Sequence, residues 1–197
     1  MLEQLSNIHV ILFCFSVFLP LMNTTIEQYQ VQIKACKEIF IKKAQDYGTS
    51  WQILRLPSLT DQIYIKLLRI RNIEESGVQK VEDSIISEYQ GIVNYCVIAL
   101  LKIEYQNDDF SDIVFLSSKY DEAVQKVLDL MQNKNHDYGE AWRVMRISSL
   151  TDLCLVKIHR LKSIEDNQGK TIASEGIEAN YMDIMNYCVF ALIRLCS

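Results

Sequence analysis

Two stretches decide the fold of this chain: residues 43–74 read KAQDYGTSWQILRLPSLTDQIYIKLLRIRNIE, and residues 134–165 read KNHDYGEAWRVMRISSLTDLCLVKIHRLKSIE. They align at a constant offset of 91 residues, and 14 of the 32 aligned positions are identical. After one extra residue in the second copy the alignment resumes further along. The chain is therefore predicted to be a tandem duplication, with repeat 1 over residues 24–105 and repeat 2 over residues 115–197.

Each repeat has the pattern of three helices. The first helix is predicted over residues 26–44 and 117–134, where apolar residues recur every three or four positions. The second helix is predicted to begin at Ser58 and at Ser149, each of which opens a Ser-x-x-Asp helix-start signal.

The third helix of each repeat is predicted over residues 82–104 and 174–195, and it is apolar on most sides. A unit of about 80 residues has too little interior to bury three such helices alone. The sequence therefore predicts an all-α fold in which two copies of a three-helix unit pack as a pseudo-two-fold helical bundle.

Composition supports a helical protein and narrows its partners. The chain is 49% hydrophobic and has only 6 Gly and 2 Pro, which disfavours a turn-rich β architecture. A net charge of −5 gives no broad attraction to a phosphate backbone, so a nucleic-acid-coating role is disfavoured. The six cysteines form no C-x-x-C pair and mostly lie in apolar runs, which indicates buried thiols and a cytoplasmic, reducing location.

The first 22 residues form a hydrophobic leader with three open interpretations. Residues 8–22 are nearly all apolar but too short for a transmembrane helix, which needs about 20 residues. A signal peptide requires basic residues before its apolar stretch, and this sequence has none there. Met22 is the true start, or residues 1–22 are a targeting segment, or they form a docked core helix. A targeting segment would make the protein membrane-associated or exported.

The connector between the first two helices carries candidate substrate-binding residues. In repeat 2 these are Asp137, Tyr138, Trp142 and Arg146, and repeat 1 has the same residue types at the aligned positions. An aromatic and basic connector is suited to closing over a planar base. The structural alternative is a helix-ending turn in which the glycine takes a positive φ angle and the aromatics brace the corner.

A pair of cations on the second helix is the candidate phosphate-binding group. Lys157 and Arg160 lie three residues apart, as do Lys66 and Arg69 in repeat 1. Cations at this spacing share one helix surface and can grip a phosphate together. They can equally be solvated or pair with nearby carboxylates.

Carboxylates on the apolar third helix of repeat 2 suggest a metal site. The candidates are Glu175, Glu178 and Asp183, with Glu175 and Asp183 the better pair on one helix. Mg²⁺ bridging one or two of them to substrate phosphates would compensate their burial. The alternative is that the two glutamates favour a helix N-terminus. Repeat 1 has Gly91 where repeat 2 has Asp183, so its acidic site is predicted to be degenerate.

The combination of D-Y-G-x-x-W, K-x-x-R, a glutamate eight residues before an aspartate, and N-Y resembles the nucleotide modification associated domain family, the first of that series. The resemblance covers both repeats and implies that the protein handles a nucleotide or a modified nucleotide. A weaker similarity to all-α, MazG-like nucleotide pyrophosphatases implies Mg²⁺-dependent pyrophosphohydrolysis of nucleoside triphosphates.

The rival hypothesis is a non-catalytic helical interaction module, in which the same polar residues form caps and salt bridges between repeats. A homo-oligomer is a further expectation. Convergence of Lys157, Arg160, Glu175 and Asp183 on one open cleft would favour the nucleotide hypothesis, whereas neutralisation within the bundle would favour the rival.

Overall fold

The computed structural model describes the backbone of residues 2–106, 108–172 and 175–196, and side chains within these ranges from residue 24 onward. These residues form helices and no strands. Short 3₁₀ turns at Ser50–Ile53 and Ala141–Val144 follow the first helix of each repeat. The α-helices are α1 (Leu2–Tyr47), α2 (Leu56–Ser76), α3 (Ile85–Glu104), α4 (Ile113–Tyr138), α5 (Ile147–Asp166) and α6 (Ile177–Leu195).

The predicted leader of residues 1–22 lies outside the residues whose side chains are described. From residue 24 onward, within the described ranges, no helix is both long enough and apolar enough to cross a membrane.

The two repeats interlock into one bundle, which confirms the predicted all-α architecture. Helices α3 and α6 pack against each other at the centre, and α2 packs against α5 beside them. Helices α1 and α4 lie outside this group, and each contacts both α3 and α6. The core therefore draws apolar side chains from both repeats, as expected for units that are too small to bury their own helices.

Buried hydrogen bonds reveal the pseudo-two-fold relation directly. The hydroxyl of Tyr29 donates to Asn186 Oδ1 at 2.9 Å, and the hydroxyl of Tyr120 donates to Asn94 Oδ1 at 2.9 Å. Tyr120 aligns with Tyr29 and Asn186 aligns with Asn94, so exchanging the repeats converts one bond into the other. Because these groups are buried, each bond satisfies polar atoms that would otherwise be costly in the core.

The predicted starts of the second helices are wrong. Helix α2 begins at Leu56 and α5 begins at Ile147, and the N-cap residues Arg55 and Arg146 make no side-chain capping bond. Pro57 is compatible with the first turn of α2, because the first N–H groups of a helix have no partner within it. Asp61, assigned to the cap, pairs instead with Lys162 of repeat 2 at 2.6 Å.

Two half-buried glutamates face the repeat interface. Thr60 donates to Glu165 at 2.6 Å, and Thr151 donates to Glu74 at 3.0 Å, so this contact is also exchanged between the repeats. Burial is the largest influence on both carboxyl groups, and it raises the pKa of each above its ordinary value because it penalises the ionised form.

We expect Glu74→Gln combined with Glu165→Gln to stabilise the protein more at pH 7 than at pH 5. The folded wild type holds protons on these carboxyls at pH values where the unfolded chain has released them. Wild-type stability therefore falls as pH rises through the raised pKa values, whereas the neutral amides lose nothing. Urea unfolding of both proteins at the two pH values measures this difference. An equal effect at both pH values would contradict it.

Candidate functional site

Repeat 2 buries a carboxylate between two lysines. Asp183 lies on α6 with its side chain 5% exposed, and Lys157 Nζ on α5 lies 2.6 Å from its Oδ2. Lys134 on α4 pairs with the other carboxylate oxygen, Oδ1. Lys157 also lies 3.5 Å from Glu175. The structure thus brings together three predicted site residues, Lys157, Glu175 and Asp183, and adds Lys134, which was not predicted.

The predicted position of Glu175 on the third helix is wrong. Helix α6 begins at Ile177 and has Gly176 as its N-cap, so Glu175 lies in the segment before the helix. It reaches Lys157 from there. Glu178 is exposed in the first turn and lies within electrostatic range of Lys126 of α4, whose pKa is raised chiefly by its hydrogen bond to Glu104 and also by the Glu178 charge. The structure therefore does not bring Glu178 to Asp183.

Arg160 makes no ion pair with this group among the described residues. Burial raises the pKa of Tyr187 to about 12, the charges of Asp183 and Glu175 add to the rise, and Arg160 opposes it. Tyr187 therefore lies within electrostatic range of both carboxylates and of Arg160. The Arg160 side chain is exposed, so it contributes a surface cation rather than a buried one.

The connector of repeat 2 packs against α6 through its tryptophan. Trp142 is buried and stacks on Phe190 of α6, with ring centroids 4.4 Å apart and planes at 5°. The guanidinium of Arg143 lies 4.3 Å from the Trp142 ring centroid, adding a cation–π contact. Arg143 also pairs with Glu140 and donates to Gln28 of α1 at 2.9 Å.

The other predicted residues of this connector are exposed. Asp137 lies 3.1 Å from His136, Tyr138 is 76% exposed, and Arg146 is the exposed N-cap of α5. The glycine after the tyrosine has a positive φ angle in both connectors, 68° at Gly48 and 63° at Gly139, as the turn interpretation predicted.

Repeat 1 also buries a carboxylate, one helical turn away from the expected position. Glu88 on α3 is buried, Lys66 Nζ lies 2.8 Å from its Oε2, and Arg69 pairs with its Oε1. Glu88 aligns with Asn180, three residues before Asp183. Repeat 1 thus lacks an aspartate at Gly91 but keeps a buried acid, and both predicted cations of this repeat contact it.

Because the buried acid of repeat 1 is Glu88 rather than a residue at position 91, open space and an unpaired lysine remain beside α3. A Cβ atom on Gly91 would lie 3.0 Å from Lys66 Cε, so Lys66 crosses the helix where repeat 2 has the Asp183 side chain. Lys43, which aligns with Lys134, is exposed and has no ion-pair partner among the described residues. Repeat 1 therefore has a free cation where repeat 2 has a salt bridge.

A cleft of about 520 Å³ opens at this position in repeat 1. It lies between the end of α1, the turn at Ser50–Ile53, Lys66 of α2 and the part of α3 that ends at Ile98. Trp51 is only half-buried here, and Ile98 stands where repeat 2 has the stacking ring of Phe190. The side chains used below that line the cleft are Lys43, Tyr47, Trp51, Lys66, Asp83, Tyr95 and Ile98.

The carboxylates do not fit a resident Mg²⁺ in this arrangement. Each buried acid already has two cations in contact, Lys134 and Lys157 at Asp183, and Lys66 and Arg69 at Glu88. A divalent ion would have to displace them against their charge. Within the described residues, no group of three or more His, Cys, Asp or Glu side chains could hold a metal.

Sequence reasoning missed Lys43, Lys134 and Phe190. The two lysines occupy aligned positions three residues before each Asp-Tyr-Gly, which was an available signal. The role of Phe190 could not be predicted because it belongs to an apolar helix, in which an aromatic residue is expected to be part of the hydrophobic core. Its role depends on the stacking partner that only the fold brings to it.

Comparison with known proteins agrees with the duplication. The model of the family described as Nucleotide modification associated domain 1 matches the chain twice, over residues 43–103 and 134–195. No curated protein and no solved structure shows a significant match. Each family match covers one connector with its second and third helices. The chain therefore belongs to the nucleotide modification associated domain 1 family and carries two copies of its domain.

Proposed function

We propose that the cleft of repeat 1 binds a nucleotide. The observation that carries this proposal is that an aromatic wall and an unpaired lysine line the same open space. Family membership supports a nucleotide-related role at a coarse level. Repeat 2 offers less room, because Phe190 covers Trp142 and Asp183 already occupies both lysines.

The aromatic wall suits a nucleobase. Tyr47 is 59% exposed at the end of α1, and Trp51 and Tyr95 line the cleft with it. Stacking a base on such a ring is worth about 1–3 kcal/mol and tolerates different bases, because every base has a π-face.

The cations suit one phosphate group. Lys43 has no carboxylate to neutralise it among the described residues. Lys66 forms one ion pair, with Glu88, and Arg69 neutralises the same carboxylate. Because an ammonium group has three N–H donors, Lys66 has donors left for a ligand. A phosphate between Lys43 and Lys66 would therefore gain charge-assisted hydrogen bonds without breaking the buried ion pair.

Lys43→Ala is expected to weaken nucleotide binding by about tenfold or more, because a charge-assisted hydrogen bond contributes about 1.5–3 kcal/mol. Titration calorimetry with nucleoside monophosphates and triphosphates, each with and without Mg²⁺, measures the affinity. The matched control is Lys134→Ala, which should retain the wild-type affinity because Lys134 serves Asp183 in repeat 2. Equal losses in the two variants, or no binding by the wild type, would overturn the proposal.

Pyrophosphohydrolysis is a finer proposal for the same cleft. Because the buried acids do not fit a resident ion, the expected substrate is a nucleotide that arrives with Mg²⁺ on its phosphates. Asp83 is exposed, lines the cleft and has no ion-pair partner among the described residues, so it is the carboxylate open to such a complex. Pyrophosphate release from nucleoside triphosphates with Mg²⁺ tests this step separately from binding.

The interaction-module hypothesis describes repeat 2 better than repeat 1. In repeat 2 Lys157 pairs with the buried Asp183 and also lies 3.5 Å from the exposed Glu175, so these predicted polar residues already neutralise one another. A purely structural role for both repeats predicts that no nucleotide changes the melting temperature. A nucleotide that binds raises it, because binding to the folded state alone stabilises that state.

A further inference from the structure

Two side chains of α6 in repeat 2 replace smaller residues that line the open cleft of repeat 1. Asp183 aligns with Gly91, and Phe190 aligns with Ile98. Gly91 and Ile98 both line the cleft. The two positions are seven residues apart, which places them on the same face of their helix, two turns from each other.

In repeat 2 these side chains complete two contacts within the protein. The Asp183 carboxylate fits between Lys134 and Lys157, which align with the cleft lysines Lys43 and Lys66. The Phe190 ring lies flat on Trp142, which aligns with Trp51. Repeat 2 thus supplies from its own chain one anionic group and one planar ring.

We infer that repeat 2 is occupied by its own side chains, and that Asp183 and Phe190 mark where a ligand places its anion and its ring in repeat 1. This inference rests on the proposed nucleotide-binding function. The ligand's anionic group lies between Lys43 and Lys66, beside Gly91. Its planar ring lies against Trp51, next to Ile98.

The spacing of these two subsites defines the class of ligand. Seven helical residues separate the backbone positions by about 10 Å. A planar ring joined through a sugar to phosphate covers such a span, so a nucleoside phosphate fills both subsites. A nucleoside alone fills only the ring subsite, and inorganic phosphate fills only the anion subsite. On this inference, the part of the wild-type chain that the structure describes has one open nucleotide site.

The inference is tested by removing the two side chains that fill the site of repeat 2; we call the product the emptied variant. Asp183→Gly combined with Phe190→Ile gives repeat 2 the residues of repeat 1 at both positions. Titration calorimetry of the full chain with the 5′-monophosphates of adenosine, guanosine, cytidine, uridine and thymidine measures the number of sites. We expect one bound nucleotide per wild-type chain and two per variant chain.

A reverse variant keeps the inference testable if Asp183→Gly combined with Phe190→Ile does not fold. Gly91→Asp combined with Ile98→Phe fills repeat 1 as repeat 2 is filled, and it should weaken binding of the same monophosphates by more than about tenfold. In the wild type, the matching nucleosides and inorganic phosphate should each bind at least about tenfold more weakly than the monophosphate.

The outcomes separate this inference from the proposed function. A wild type that binds no nucleotide refutes both. A wild type that binds one nucleotide, with a folded emptied variant that still binds one, refutes the inference and leaves the proposed function intact. If the emptied variant does not fold, the reverse variant decides: lost binding supports the inference, and retained binding overturns it.

Discussion

Replacing Trp142 with alanine is expected to lower the free energy of unfolding by about 3–5 kcal/mol, the usual cost of truncating a buried aromatic side chain. Trp142 is 5% exposed, stacks on Phe190 and carries the Arg143 guanidinium over its ring. Its removal leaves a cavity between the connector of repeat 2 and α6. Urea unfolding followed by circular dichroism measures the loss.

The aligned residue Trp51 is the matched comparison. Trp51 is half-buried, and its aromatic neighbour is Phe110, at 5.4 Å in a tilted arrangement. Trp51→Ala should therefore cost less stability than Trp142→Ala but should weaken nucleotide binding, because the ring subsite loses its surface. Trp142→Ala should leave the affinity unchanged wherever the protein remains folded. If Trp142→Ala weakened nucleotide binding and Trp51→Ala did not, the assignment of the binding site to repeat 1 would be contradicted.

Gly91→Asp is expected to have the largest effect on binding of any single substitution in the cleft. The new carboxylate would lie between Lys43 and Lys66, as Asp183 lies between Lys134 and Lys157 in repeat 2. It would neutralise the free cation and repel a phosphate, so the affinity should fall by more than about tenfold. The melting temperature without ligand should rise, since Lys43 gains a partner.

Gly91→Ala separates charge from bulk at this position. A Cβ atom meets only the flexible end of Lys66, 3.0 Å away at Cε, and that end can move. The alanine variant should therefore bind within a few-fold of the wild type. Titration calorimetry and thermal unfolding of the two variants test this contrast, and an alanine variant as impaired as the aspartate variant would show that bulk alone closes the cleft.

The duplication and the helices could be predicted from sequence because both are periodic. The repeat at an offset of 91 and the apolar spacing predicted the all-α bundle with its pseudo-two-fold packing. The helix starts could not be placed as well. Helix α6 begins at Ile177, three residues later than expected, with Gly176 as its N-cap, so Glu175 is not part of the helix; a cap depends on local backbone geometry.

The open cleft could not be predicted from residue types. Glu88 and Asp183 neutralise the aligned lysines Lys66 and Lys157 from positions one helical turn apart, so the missing aspartate at Gly91 looked like a lost site. Only the packed structure shows that the shift frees Lys43 and opens a space beside it. The same residue difference that suggested degeneracy in repeat 1 is what makes room there.

The measurement that tests this account most directly is the binding stoichiometry of the intact chain. Titration calorimetry with nucleoside 5′-monophosphates, on the wild type and on Gly91→Asp, reports how many sites exist and whether the site lies in repeat 1. We predict one bound nucleotide per wild-type chain and more than about tenfold weaker binding after the substitution. Two equivalent sites per chain, or an affinity that Gly91→Asp leaves unchanged, would contradict it.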